Sequence, residues 1–228
     1  MNTGPMSQEN YKVKGLPTYL VLDTSGSMKP HEQVLNNTLM EIYDTIDTSP
    51  QVSEFIHLSV ISFNTQAHVV TAMEDLDDIQ TLPTVSCGGM TNYGLMLELV
   101  RSRIEADVRA MAHRGLKVLR PVVFLLTDGF PSDHPGWLDQ LADLTDREWK
   151  AHPNIITFGF GDATEAVLSR IANVAAFTAE QGADNRAALS EALTSLLNSL
   201  VASAKAQEMQ VPESVKGYRS IPLEYVDG

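Results

Sequence analysis

The chain has 228 residues, of which 43% are hydrophobic, with 16 Lys and Arg against 29 Asp and Glu, a formal net charge of -13, and one cysteine. That acidic balance excludes a phosphate-backbone partner, which needs clustered Lys and Arg, so no nucleic-acid role is expected. A lone Cys87 excludes an internal disulfide and a Cys-rich zinc ribbon, and the length suits one domain of about 180 to 200 residues with short ends.

Residues 1–15, MNTGPMSQENYKVKG, are polar and read as a flexible lead. They lack the apolar core of a signal peptide, and no run of about 18 apolar residues could span a bilayer. Together with the single cysteine this predicts a cytoplasmic protein with no membrane partner.

Tyr19 to Leu22 have the continuous apolar character of a parallel strand covered on both faces, and Asp23 closes it. Ser25, Gly26 and Ser27 follow in a loop, with Gly26 suited to a tight turn. Pro30 fits the first turn of a helix, whose buried stripe is Leu35, Leu39, Ile42 and Ile46, ending near Asp47 before Ser49-Pro50.

His57–Phe63 and Ala67–Met73 read as strands separated by Asn64-Thr65-Gln66. Three residues cannot carry a parallel crossover, so one of the pair runs antiparallel to the rest. The stretch from Glu74 to Cys87 is a loop with an acidic run at Asp75, Asp77 and Asp78, read as a solvated turn. Beyond the glycines Gly88 and Gly89 comes Thr91, at the mouth of a helix marked by Met96, Val100, Ile104, Val108 and Met111. His113, Arg114 and Gly115 supply its termination signals.

Pro121–Leu126 is a second buried strand, closed by Thr127-Asp128-Gly129. Asp139–Trp149 is predicted helical, Ile155–Phe160 a strand, Thr164–Ala172 a short helix capped by Thr164, and Val174–Thr178 a short strand. Leu189, Leu193, Leu196, Leu197 and Leu200 form the apolar face of the last helix. The domain is placed at residues 16–203. Residues 204–228 form a tail, read as packed on the domain's own surface, disordered, or used to dock a partner.

Alternating strands and helices predict an α/β, doubly wound, mostly parallel sheet of six strands with one antiparallel edge strand and helices on both faces. In the usual 3-2-1-4-5-6 order, the strands ending in Asp23 and Asp128 are neighbours at the switch point, where ligands of such sheets bind. Asp23 taken alone suits a helix N-cap, and Asp128-Gly129 a plain turn. Jointly, two carboxylates and the hydroxyls of Ser25, Ser27 and Thr91 form an oxygen-donor set for a hard divalent cation such as Mg²⁺.

The order D-x-S-x-S, then T, then T-D-G resembles the metal-ion-dependent adhesion site of von Willebrand factor A domains, over roughly Leu16 to Val201. The resemblance implies that Asp23, Ser25, Ser27, Thr91 and Asp128 hold Mg²⁺, or Mn²⁺ or Ca²⁺, directly or through water. It further implies an open coordination position filled by an acidic ligand from a protein partner, with no catalysis by the chain itself. An antiparallel edge strand also belongs to that fold.

Within the family, the stretches P-T-Y-L-V-L-D-T-S-G-S-M, S-V-I-S-F-N, G-x-T-N-x-G and V-F-L-L-T-D-G-x-P-S-D are similar to TerY-type proteins of bacterial tellurium-resistance and stress systems. That likeness implies a phosphosignalling complex with a protein kinase and a protein phosphatase. The chain departs from the variants that carry an additional cysteine-rich module.

Rival chemistries find less. The phosphatase pattern D-x-D-x-T fails because Ser25 stands where its second acid belongs, and there is no Gly-rich loop followed by Lys and Ser or Thr. Gly159 to Thr164 lacks the third glycine of a dinucleotide loop. The six histidines show no zinc spacing. Asp133 and His134 read first as solvent-exposed loop residues, with a place on the rim of the site as the alternative. A metal-dependent hydrolase would need a general base, for which His134 is the only local candidate, and a chelatase-like ATPase subunit would need a P-loop partner. Cys87 reads as a small packed side chain, with a reactive role conceivable from its nearness to Thr91.

Overall fold

A computed structural model describes residues 13–73, 84–133 and 135–223. The acidic run at Asp75, Asp77 and Asp78, residues 1–12, His134 and residues 224–228 lie outside the described residues.

The first strand, β1 (Lys14–Asp23), is buried almost throughout and distributes its side chains by strict alternation. Leu20 and Leu22 join one core layer, beneath α1 (Glu32–Thr48) and α6 (Asn185–Ala206). Tyr19 and Val21 join the other, beneath α3 (Tyr93–His113) and α4 (Trp137–Thr145). The second buried strand, β5 (Val122–Thr127), repeats the split, with Phe124 and Leu126 on the first face and Val123 and Leu125 on the second. Apolar residues at every position are what a strand covered on both sides requires.

The remaining strands are β2 (Ile56–Phe63), β3 (Ala67–Thr71), β4 (Lys117–Val118), β6 (Asn154–Gly159), β7 (Ala175–Ala179) and β8 (Tyr218–Ile221). Their order is β3-β2-β1-β5-β6-β7-β8, and β4 makes a two-residue pairing with β1. Parallel pairing of β1 with β2 and β5 sets Leu22 opposite Ser62 on one side and Leu126 on the other. The strands ending in Asp23 and Asp128 are therefore adjacent, as the predicted strand order requires, and β3 is the antiparallel partner of β2.

Two features exceed the expectation from sequence. The sheet has eight strands, not six, because β4 forms before β5 and because the tail supplies β8, a second antiparallel edge strand on β7. Gln207, left-handed at φ 55°, ends α6; Met209 and Val211 then pack on the core, and Tyr218 is buried beside Phe158. The Tyr218 hydroxyl donates to the Ala188 carbonyl at 3.0 Å. Four residues with two apolar ends are too short to announce a strand by periodicity alone.

The other correction concerns the helix placed at Asp139–Trp149, which spans Trp137–Thr145. Asp146 leaves helical geometry, and its carboxylate accepts the Glu148 N–H at 2.9 Å, a local turn that competes with helix continuation. Trp149 instead lies under the Arg101 guanidinium, 4.3 Å from the ring centroid. Among the described residues no helix is long and apolar enough to cross a membrane.

Candidate metal centre

Asp23 is wholly buried at the end of β1. Its Oδ1 accepts the Ser25 N–H at 2.8 Å, which folds the loop back over the strand end. This aspartate does not cap a helix: the residue ahead of the 3-10 turn Gly26–His31 is Ser25, and it makes no side-chain cap bond. The other oxygen, Oδ2, accepts from the Thr127 hydroxyl at 2.6 Å, across the β1–β5 boundary.

From Ser25 the polar chain continues to Asp128. The Ser25 and Ser27 hydroxyls lie 3.1 Å apart, and the Ser27 hydroxyl donates to Asp128 Oδ1 at 2.8 Å. Four of the five predicted residues are thus joined by hydrogen bonds at the carboxyl ends of two adjacent strands. Thr91, the fifth, approaches without bonding to them: its Oγ1 stands 3.7 Å from where a Cβ on Gly129 would project. Its hydroxyl has no hydrogen-bond partner among the described residues, although the residue is only 8% exposed.

The loop holding Thr91 is pinned from several sides. Gly26 N–H donates to the Gly89 carbonyl at 3.0 Å, and Gly88 N–H to the Thr24 carbonyl at 2.8 Å, stitching the two loops together. Gly89 sits at φ +85°, where a Cβ would fall 2.5 Å from Thr65 Oγ1, so glycine is required. Ser132 clamps Thr91 itself: its N–H and its hydroxyl both reach the Thr91 carbonyl at 2.9 Å, and its Oγ accepts the Thr91 N–H at 3.1 Å.

Sequence reasoning passed over three residues that support the site. Thr127 bridges to Asp23, and Tyr93 donates through its hydroxyl to Thr127 Oγ1 at 3.0 Å. Ser132 holds Thr91. Position alone could have raised Thr127, since it immediately precedes Asp128. Asp133, read as a solvent-exposed loop residue or a rim residue, accepts the Tyr93 and Gly94 N–H groups at 3.0 and 2.6 Å and so ties down the first turn of α3.

Electrostatics at the cluster are unbalanced. Burial, above all, raises Asp23 from the usual carboxylate range to about 6, against the opposing hydrogen bonds from Ser25 and Thr127. Asp128 moves in the same direction for the same cause. No Lys or Arg forms an ion pair with either carboxylate among the described residues. Two desolvated carboxylates without a counter-charge, beside three hydroxyls, fit a hard divalent cation, because such an ion binds oxygen donors and relieves the desolvation cost. The donor set holds no sulfur or imidazole, and no group of three His, Cys, Asp or Glu side chains arises among the described residues.

Two other candidates change status. Cys87 is buried and its thiol is pushed up to about 11, chiefly by desolvation, which leaves it protonated and unreactive at neutral pH. His134, the base required by a hydrolase, lies outside the described residues.

A doubly wound sheet with a carboxylate and hydroxyl cluster at its switch point defines a Rossmann-like class of ligand-binding domain. The sequence profile of the von Willebrand factor type A domain matches residues 19–200, and the chain belongs to that family. Among solved structures, it is similar to proximal thread matrix protein 1 from the mussel byssus, with TM-score 0.56 and 17% identity over 83% of this chain and 48% of that one. It is similar also to a von Willebrand factor type A protein from Catenulispora acidiphila, with TM-score 0.56 and 17% identity over 82% and 43% of the two chains. The pilus adhesin SpaC from Lactobacillus rhamnosus GG, in its open conformation, matches with TM-score 0.61 and 15% identity over 83% and 30%. This chain spans less than half the length of each, and at these identities the likeness speaks for the fold. A comparison with curated proteins found no match.

Proposed function

We propose that Asp23, Ser25, Ser27, Thr91 and Asp128 hold a divalent cation, Mg²⁺ or in its place Mn²⁺ or Ca²⁺, and that the chain is a metal-dependent protein-interaction module without catalysis of its own. The observation that carries this reading is the 2.8 Å bond from Ser27 Oγ to Asp128 Oδ1, spanning 101 residues of sequence, beside the buried Asp23. It joins the two halves of the motif into one oxygen cluster whose carboxylates have no Lys or Arg ion pair among the described residues.

When bound, the cation supplies a Lewis-acidic position that a carboxylate from a partner protein can fill. The chain's residues do the rest. Thr127 and Ser25 orient the Asp23 carboxylate, Ser27 orients Asp128, and Ser132 sets the height of Thr91. Three of the five side chains are neutral hydroxyls, which would add no negative charge of their own to a cation held beside the two carboxylates.

The finer assignment is to the TerY-type branch: a cytoplasmic bacterial protein of a tellurium-resistance or stress complex, with a protein kinase and a protein phosphatase as partners. What supports it is the set of four sequence stretches around the site. Titration calorimetry with Mg²⁺, Mn²⁺ and Ca²⁺ tests the metal, with uptake expected for the native chain and none for Asp23→Ala. Pull-down from the native host with and without EDTA tests the partners; capture indifferent to both EDTA and Asp23→Ala would remove the metal from the interaction.

A further inference from the structure

The first two turns of α1 meet the segment that leads into Thr91. Glu32 and Asn36 are four residues apart, so their side chains leave the same side of the helix, about 6 Å apart along its axis. Residues 84–87 alternate exposed and buried, the period of an extended chain, in which two residues advance about 6.6 Å. The two repeats match, and side chains of the helix meet backbone groups of the segment at both steps. Asn36 Oδ1 accepts the Val85 N–H at 2.8 Å while its Nδ2 donates to the Val85 carbonyl at 3.0 Å. Glu32 Oε2 accepts the Cys87 N–H at 2.6 Å. The Cys87 amide, with Lys29 Nζ at 2.7 Å on the same oxygen, holds the Glu32 carboxyl below the usual carboxylate range, so the bond to Cys87 is charge-assisted.

These bonds close a ring. Gly26 N–H bonds the Gly89 carbonyl, the chain runs from Gly26 through the 3-10 turn to Glu32, and Glu32 bonds Cys87, two residues before Gly89. Ser27 lies in one arm of the ring, and Thr91 follows the other by two residues. Ser132 grips Thr91 from the β5 side. On the β1 side, without α1, the loop would hang from Thr24 and Gly26 by two backbone bonds at Gly88 and Gly89, where torsion is least restricted. Attachment to α1, whose Leu35 and Leu39 are buried in the core, removes that hinge.

We infer that Glu32 and Asn36 are positioning residues for the metal centre, which set Thr91 against Ser27 and Asp128 from α1 and make cation binding and the brace at Val85 and Cys87 mutually stabilising. This rests on the metal reading above and adds what keeps the two loops in register. Neither side chain hydrogen-bonds to a proposed ligand among the described residues, so both act through the loop. Such coupling is reciprocal: a brace that favours the cation is favoured by it to the same degree.

The test uses the intact chain. In titration calorimetry, Asn36→Ala and Glu32→Ala should each lower Mg²⁺ affinity by about fivefold or more. Glu32→Gln, which keeps an oxygen for the Cys87 N–H, should restore most of the loss. Hydrogen exchange of the native chain, followed by NMR, reads the reciprocal effect and needs no variant. Saturating Mg²⁺ should slow the Val85 and Cys87 amides by about fivefold or more. The Glu148 amide, held likewise by a side chain in the turn before β6, should keep its rate. Residues that only stabilised the fold would shift Tm and produce neither response.

If Asn36→Ala and Glu32→Ala take up Mg²⁺ with native affinity, or the two amides ignore the cation that calorimetry shows to be bound, the brace inference fails and the metal reading stands. Glu32→Gln as weak as Glu32→Ala would also overturn it, by tracing the loss to charge near the cation and not to the Cys87 bond. No uptake by the native chain defeats the metal reading first, and the brace with it.

Discussion

The hydroxyl of Thr127 donates to Asp23 Oδ2 at 2.6 Å, joining two residues 104 apart across the boundary between the first and second buried strands. Tyr93 in turn donates to Thr127, so a buried relay holds the aspartate on the side away from Ser25. Outer partners of this kind orient metal ligands, and their loss commonly costs 10- to 100-fold in affinity. Thr127→Val should therefore lower Mg²⁺ affinity by about tenfold in calorimetry, at a stability cost of about 1 kcal/mol. The fold should survive, because the Tyr93 hydroxyl keeps the Gly129 carbonyl as a second acceptor at 3.3 Å. Unchanged affinity would mean that Asp23 needs no such orientation.

The metal-free protein should have a distinctive pH profile. Asp23 titrates at about 6 when folded, against 3.8 for the unfolded side chain, mainly because burial disfavours its charge. Between about pH 4 and pH 6 the folded state therefore holds a proton that the unfolded state has released, and stability falls as pH rises through that window. In EDTA, Tm should drop over this range for the native chain and drop less for Asp23→Asn. Adding Mg²⁺ should raise Tm more at pH 7 than at pH 5, where protons compete for the same carboxylate. Equal pH profiles for the native chain and Asp23→Asn would contradict the assignment.

Gly89 offers a purely steric test. Its φ of +85° and the 2.5 Å approach of a Cβ to Thr65 Oγ1 penalise any side chain. Gly89→Ala should cost about 1 to 3 kcal/mol in chemical denaturation, by backbone strain. It should also weaken metal binding, since the Gly89 carbonyl anchors Gly26 between the two serines. A variant as stable as the native chain would show that the loop relaxes freely.

Further back along the same face of β1, Tyr19 donates to Asp107 Oδ2 at 3.0 Å and Arg103 pairs with Oδ1 at 2.5 Å. Asp107 is 2% exposed, so its removal strands a buried hydroxyl and a partly buried guanidinium. Asp107→Ala should destabilise by about 3 to 5 kcal/mol, whereas Tyr19→Phe, which leaves the ion pair, should cost nearer 1 kcal/mol. Urea denaturation of both variants checks the difference, and metal affinity should not follow it.

The tail makes its own prediction. Tyr218 fills the space beside Phe158 and bonds the Ala188 carbonyl, while its strand closes the sheet edge at β7. Tyr218→Ala should cost about 3 to 5 kcal/mol by leaving a cavity at a large aromatic site. A loss below about 1 kcal/mol would return the tail to the status of a loose appendage.

Much of this protein was legible in its order of residues. Continuous apolar runs ending in Asp23 and Asp128 marked the central parallel strands, because a strand covered on both faces has no polar side to show. Four-and-three spacing found α1, α3 and α6, and the three-residue link before Ala67 required an antiparallel pair. The five oxygen-bearing residues could be picked out because their pattern is local in each of three pieces.

Other features depend on contacts between distant residues. Periodicity carried no signal for the Tyr218–Ile221 strand, since its pairing is decided by the free edge of β7. The same holds for Thr127, Tyr93 and Ser132, whose roles exist only once β1, β5 and the two loops are side by side. Asp146 ended α4 early through a bond to the Glu148 N–H, one of two conformations open to that sequence. Hydrophobic patterning belongs to the chain itself, because burial on one face or two imposes a period. Which polar groups meet was settled by tertiary packing, where side chains far apart in sequence share the same few ångströms.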